Sequence, residues 1–348
     1  MKSLFATGLL MILTCGLALA QEQSCALTQQ TEEWKLAFVR NNNIWVSKGD
    51  GTDQRMIIKN GRSPYWSPGK NQIAFARSNN VWIAKADGTG QRPLTFRWGK
   101  KTPDLSAFGR PIDISWNSKF NTVTFSHWEE FRLERVAGYK GISRVLGWPQ
   151  RNVIGNSILD VALDSVSQTL SVVRFDFYKD GTGYLFSSHS NPAWSKSGDK
   201  LAFVRNGDIW IAYVLEKEED AVDDPRIWWD VHRLAAVASF DEPTWRASRE
   251  NYGATHLSWS PDGRYLAYYY RRLQGSGVEE IRLIDMGSNE NKLLVEFGRE
   301  PAFSPDGQFI AYSTPEGCEK DKASCLWVVS IDGKIRKKLL DDADEPIW

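Results

Sequence analysis

Seven times along this chain a residue able to carry charge or hydrogen bonds stands three positions ahead of a Trp, Phe or Leu: Ser63, Asp113, Asp160, Asn191, His256, Glu300 and Glu345. The residues they precede are Trp66, Trp116, Leu163, Trp194, Trp259, Phe303 and Trp348. If the units containing them are arranged about one axis, equivalent positions form a ring. Four carboxylates and one imidazole facing one opening could hold a cation, a Lys or Arg side chain, or a free amine. Paired acids can also cleave or bind glycosides, which makes a carbohydrate-directed protein the competing functional class. The plainer account is that such residues only line water, and the metal, if any, is not specified by these positions.

Other chemistry finds no support in the sequence. There is no G-x-S-x-G elbow for a hydrolase nucleophile. His127, His189, His232 and His256 are scattered without H-E-x-x-H or other close metal-ligand spacing. Dinucleotide and phosphate loops of the G-x-G-x-x-G or Walker type are missing, so no cofactor is expected beyond a cation at the ring.

The elements that must position the ring follow from a repeated pattern of polar turn and alternating strand. Ser-Pro-Asp-Gly precedes Tyr265-Leu266-Ala267-Tyr268 and Phe309-Ile310-Ala311-Tyr312, and Ser-Pro-Gly-Lys precedes Ile73-Ala74-Phe75. Pro presets φ, Asp bonds its own backbone and Gly accepts positive φ, so the motif specifies a tight reversal. Asp50-Gly51, Asp87-Gly88, Asp180-Gly181 and Asp332-Gly333 mark a second reversal per unit, which assigns these aspartates to architecture. Aligning the units on Leu36, Ile73, Val123, Leu170, Leu201, Leu266 and Ile310 counts seven. Such units cannot bury their apolar faces alone and must stack. The expected fold is all-β, a β-propeller of seven four-stranded blades, with six or eight as alternatives. The chain ends on Asp344-Glu345-Pro346-Ile347-Trp348, which reads as an opening strand without continuation. It should pair with the strand at Leu36 to Val39 and so close the ring without free sheet edges.

The combination of Ser-Pro-Asp-Gly, Ile/Leu-Ala-Phe/Tyr, Val81-Trp82-Ile83 and Asp87-Gly88-Thr89 resembles the repeat of the TolB-type β-propeller. The resemblance covers nearly all of the chain after the leader, and it implies an exported propeller that binds protein. The TolB pattern also includes an α/β domain before a six-bladed propeller, for which this sequence has no room. The repeat is similar as well to the one beneath prolyl-oligopeptidase-like hydrolases, but no hydrolase sequence follows it.

Composition agrees with a soluble globular chain: 348 residues, 42% hydrophobic, with 43 basic and 43 acidic side chains. That balance offers no electrostatic reason for nucleic acid as a partner. Residues 1–20 have the layout of a secretory signal, with Lys2 followed by an apolar run, and no later stretch is apolar enough to span a bilayer. Residues 21–33 form a polar leader, and residues 34–348 a single propeller domain in the periplasm or outside the cell. Cys318 and Cys325 flank a polar loop and could close a hairpin in an oxidising compartment. Cys25 could instead pair with either, and sequence does not decide.

Long connections concentrate on one face, at 97–110, 148–157, 238–255, 271–279 and the cysteine loop, whereas 215–230 falls on the other. Such loops are the usual place for recognition. Of 16 tryptophans, Trp66, Trp116, Trp194, Trp259 and Trp348 and also Trp45, Trp82, Trp210 and Trp327 occupy framework positions. Trp98, Trp128, Trp148 and Trp245 lie on or near connections and could form a peptide or sugar platform, or pack beneath the loops. The sequence therefore points to an exported binding or scaffold propeller with a protein or peptide partner, of unspecified oligomeric state.

Overall fold

The computed structural model describes residues 35–78, 80–94, 113–119, 121–132, 152–162, 169–173, 177–180, 183–186, 189–205, 208–214, 229–235, 253–271 and 279–348. Every regular element among them is a β-strand. In chain order these are β1 (Lys35–Arg40), β2 (Asn43–Lys48), β3 (Arg55–Ile58), β4 (Arg62–Trp66), β5 (Gln72–Arg77), β6 (Asn80–Lys85), β7 (Arg92–Pro93), β8 (Ile114–Asn117), β9 (Thr122–Arg132), β10 (Asn152–Ala162), β11 (Thr169–Val173), β12 (Phe177–Asp180) and β13 (Gly183–Phe186). They continue as β14 (His189–Trp194), β15 (Lys200–Arg205), β16 (Asp208–Val214), β17 (Trp229–Ala235), β18 (Gly253–Trp259), β19 (Tyr265–Arg271), β20 (Glu279–Asp285), β21 (Asn291–Glu296), β22 (Arg299–Phe303), β23 (Phe309–Thr314), β24 (Cys325–Ser330), β25 (Arg336–Asp341) and β26 (Asp344–Ile347).

The strands form antiparallel four-stranded sheets in a propeller arrangement. Sheet I has the order β26-β1-β2-β3, sheet II runs β4 to β7, sheet III β8 to β11, sheet IV β14 to β17, sheet V β18 to β21 and sheet VI β22 to β25. Sheet I combines both ends of the chain: Ala37 stands opposite Ile347, and Val39 opposite Asp344. The first strands touch in succession, β4 to β8, β8 to β14, β14 to β18, β18 to β22, β22 to β26 and β26 to β4.

Among the described residues the expected seven units appear as six four-stranded sheets and one two-stranded sheet. Leu170, the anchor of the fourth unit, lies on β11 and pairs with Asp160 on β10, so that unit supplies outer strands of sheet III. The Asp180-Gly181 signal is real but local: β12 and β13 pair with each other as a two-stranded hairpin.

Each Ser-Pro-Asp-Gly turn is closed by its own side chains. Ser260 Oγ donates to Asp262 Oδ1 (2.5 Å), which also accepts from the Arg264 amide (3.0 Å), while the Tyr265 amide donates to Ser260 Oγ (2.8 Å). Ser304, Asp306 and Phe309 repeat the set at 2.6, 3.0 and 3.0 Å. Asp50 and Asp87 each accept from the amide and hydroxyl of the Thr two residues on. The carboxylates of Asp50, Asp87 and Asp262 are held below the usual range; turn hydrogen bonds to the charged form lower them, although at Asp50 the largest effect is burial, which opposes them.

The core lies between sheets rather than within them. Leu36, Phe38, Ala302, Ala311, Leu326 and Trp348 pack where sheet VI meets sheet I, and Val39, Ile44, Trp66 and Phe75 where sheet I meets sheet II. Trp66, Trp116, Trp194, Trp259, Phe303 and Trp348 are all at most 7% exposed, as their framework spacing requires. Hydrogen bonds tie neighbouring sheets: Trp194 Nε1 donates to Thr124 Oγ1 (2.6 Å) and Trp259 Nε1 to the Ala193 carbonyl (2.9 Å).

Candidate functional site

Five of the seven ring positions share one unusual backbone state. Ser63, Asn191, His256, Glu300 and Glu345 have φ of 48, 53, 48, 53 and 49°. Left-handed backbone costs a non-glycine residue roughly 1–2 kcal/mol, and a following proline, present after four of these five, adds its own restriction. Each lies at a register shift of an innermost strand, between Arg62 and Tyr65, Ser190 and Ala193, Thr255 and Ser258, or Arg299 and Ala302, with a matching irregularity where β26 meets β1. A bulge unpairs one residue and re-aims its side chain. Here it sets one polar residue per strand outside the regular ladder at the same end of the sheets.

Hydrogen bonds then pass from sheet to sheet. Glu300 Oε2 accepts from the backbone N–H of Glu345 (2.7 Å), and Glu345 Oε2 accepts from the backbone N–H of Ser63 (2.6 Å). Each carboxylate thus satisfies the equivalent bulged amide of the next sheet. Arg62 completes the pattern by donating Nη2 (2.9 Å) and Nε (3.1 Å) to Glu345 Oε1.

A second position, on the neighbouring strand, supports the ring residue in three sheets. Ser313 Oγ donates to Glu300 Oε2 (2.8 Å), and Ser126 Oγ donates to Asp113 Oδ2 (3.0 Å). The third is Tyr269, whose ring meets His256 edge-on with centroids 6.2 Å apart. The Tyr269 hydroxyl donates to Glu279 Oε1 (3.2 Å), and Arg299 Nε donates to Glu279 Oε2 (2.6 Å).

The carboxylates crowd at the seam where β26 enters. Burial, and then the charges of Glu300 and Glu345, push Asp344 up from 3.8 to about 7, against the pull of Arg62. Burial and Glu300 likewise raise Glu345, whose side chain is 10% exposed, while Arg62 and the Ser63 amide oppose. Glu345 in turn holds the Arg62 guanidinium above its ordinary value.

The structure separates the expected ring into parts. Glu300, Glu345 and Ser63 are joined by direct hydrogen bonds, and His256 and Asn191 share their backbone state. Asp113 directly precedes β8 and is tied to Ser126 by its carbonyl as well as its carboxylate. Asp160 does not belong with them: it lies inside β10, opposite Thr124 and Leu170, because its unit supplies outer strands. Trp128, expected near a turn, is on β9 opposite Asn156, within a stretch where β9 and β10 pair over 11 residues each. Trp98, Trp148 and Trp245, together with Cys25 and residues 1–33, lie outside the described residues. Cys318 and Cys325 form a disulfide with Cα atoms 5.5 Å apart. Sequence reading missed Arg62, Asp344 and Arg299, although each immediately precedes a ring residue. Among the described residues, no cluster of three or more His, Cys, Asp or Glu is arranged to hold a metal ion.

Comparisons with known proteins agree with this architecture. The family described as the dipeptidyl peptidase IV N-terminal region matches residues 171–296. The Tol-Pal system protein TolB of Thiobacillus denitrificans is 34% identical over 73 residues, 20% of this chain and 16% of the length of that relative. TolB from Acinetobacter baumannii superposes with a TM-score of 0.60 at 16% identity, covering 91% of this chain and 67% of that one. A putative TolB from Agrobacterium tumefaciens does so with a TM-score of 0.52 at 11% identity, covering 88% of each. Among the described residues no helix is long and apolar enough to cross a membrane. In fold, the chain is a TolB-like β-propeller.

Proposed function

We propose that this protein is an exported, non-catalytic binding propeller whose six four-stranded sheets close into one ring and present their bulged end to a protein or peptide partner. Ring closure is supported by the succession of first-strand contacts and by the sharing of sheet I between both chain ends. Export is supported by residues 1–20 and by the disulfide.

The observation that carries the binding reading is Phe297. It precedes β22 in left-handed backbone, φ 57°, where the matching corners before β4 and β26 hold Asn60 at 52° and Asp342 at 55°. Asn and Asp tolerate that state, but a bulky aromatic there is a true outlier. Phe297 is nonetheless 46% exposed, so folding gains little from its ring. Strain kept without a packing return is expected where a residue serves recognition. Beside it Arg271 and Arg299, with side chains 52 and 44% exposed, both pair with Glu279, whose carbonyl accepts from the Phe297 amide (2.6 Å). An aromatic flanked by guanidinium groups is the composition of an interface hot spot.

Phe297→Asn tests this reading, since the replacement relieves strain. The variant should melt at the same temperature as the parent or higher, yet recover less partner in a cross-linked pull-down from envelope extract. Equal recovery by both proteins would remove the support.

A further inference from the structure

The corner that leads into β26 is held by a connection unlike its counterpart in sheet I. There the second and third strands are joined by two residues, Asn41 and Asn42, both in left-handed backbone with φ of 51 and 58°. The Asn42 carbonyl accepts from the Gly61 amide (2.9 Å) and so fastens the corner that leads into β4. In sheet VI the matching bond runs from the Ala343 amide to the Ser324 carbonyl (3.3 Å). Ser324, however, ends a connection of ten residues, 315–324, and fixing a longer loop costs more chain entropy.

The Cys318–Cys325 disulfide is what shortens that loop. Cys325 opens β24 directly after Ser324, so the cross-link acts next to the carbonyl that receives Ala343. From the loop so fixed, the Glu319 amide donates to Asp341 Oδ1 (3.1 Å), and Lys322 Nζ pairs with Asp342 Oδ2 (3.5 Å). Towards β25, Arg336 Nη2 meets Glu316 Oε2 (3.1 Å) and Lys338 Nζ donates to the Gly317 carbonyl (2.9 Å). Exposed ion pairs of this kind add little by themselves, because ordering two long side chains offsets their attraction. They hold the corner only while the loop is already shaped.

The two sulfurs differ in access. Cys318 is partly exposed, between the exposed residues Gly317 and Glu319, whereas Cys325 is 0% exposed. An incoming thiolate can therefore reach Cys318 Sγ and not Cys325 Sγ. Cys325 Sγ lies 3.4 Å from the Thr314 carbonyl oxygen and 3.3 Å from that of Glu316. Once released and protonated, its thiol can donate to either oxygen, so the reduced form leaves no buried charge behind.

We propose that Cys318 is a thiol-exchange site for a dithiol reductant, and that the bond opened there is the latch that holds the corner into β26. One thiolate of the dithiol attacks Cys318 Sγ, forming a mixed disulfide and expelling Cys325 as a thiolate, which takes up a proton. The second thiolate of the reductant attacks its own sulfur in the mixed disulfide and releases Cys318, which is protonated in turn. The protein gains two thiols, and the dithiol leaves as a disulfide. Ser324 and Glu319 are then no longer fixed, so the corner at 341–343 loosens, and with it the strand whose Glu345 carboxylate caps the Ser63 amide.

Dithiothreitol on the purified, folded protein is the probe. Alkylation followed by mass mapping should find Cys318 and Cys325 free without any denaturant. Hydrogen exchange should then quicken about tenfold or more at Ala343 and along β26, and less at Gly61, the matching corner that has no disulfide. Replacing both cysteines by Ser should reproduce that local quickening in the absence of dithiol, and dithiol should add nothing to it. A rise confined to 315–324, or equal at Ala343 and Gly61, would overturn the proposal. So would a bond that resists dithiol in the folded protein, or mapping that places Cys25 in it.

Discussion

Asp344 shows how one residue can make the seam respond to pH. Its folded value, about 7, lies above its ordinary 3.8, because burial and two neighbouring carboxylates disfavour the charge. A raised folded value means that its contribution to stability is complete below about pH 4 and is lost as the pH rises through 7. The raised Glu345 acts in the same direction. Asp344→Asn should therefore leave stability at pH 4 nearly unchanged, raise it by about 1–2 kcal/mol at pH 8, and flatten the dependence between them. Urea titrations at both pH values check this, and an equal effect at both would contradict it. Arg62 has the opposite role. Arg62→Met leaves Glu345 without its guanidinium and should cost about 1–3 kcal/mol at pH 8 and less at pH 5, where Glu345 takes up a proton more readily.

At the scale of elements, β26 closes sheet I with only four residues, yet it brings Trp348 into the core shared with sheet VI. Trp348→Ala should cost about 3–5 kcal/mol, and deletion of 344–348 should lower the melting of the whole molecule and not of one end only. A transition in which most of the chain still melts at the parent temperature would indicate an open array. Arg40 fastens the same seam from β1, with Nε on the Asp342 carbonyl (2.8 Å) and Nη2 on the Asp341 carbonyl (2.9 Å). Arg77 repeats the arrangement on the carbonyls of Asn60 (3.2 Å) and Lys59 (2.7 Å). The arginine that ends a second strand thus holds the corner leading into the same sheet. Replacing both Cys318 and Cys325 by Ser reopens a short loop and should cost about 2 kcal/mol, read by chemical denaturation.

For the whole molecule, the strand order, the turn chemistry and the junction of the two chain ends were legible in the sequence, because each is written in local signals: Pro and Gly at reversals, alternation in strands, and an unfinished repeat at the carboxyl end. The unit around Leu170 was misread because alternation alone does not say whether a strand begins a sheet or extends one. Pairing of β9 with β10 over their full length decided that, and it placed both Asp160 and Trp128 inside paired strands. Spacing identified Glu300, Glu345 and Ser63 as equivalents, but not that the carboxylate of one caps the bulged amide of the next, since that bond joins residues up to 282 positions apart. Local backbone preference is carried by neighbours in sequence, so the chain alone determined its repeat and its strands. Which charges meet, as Glu300, Glu345 and Arg62 do, depends on packing between distant segments, and that only the tertiary structure decided.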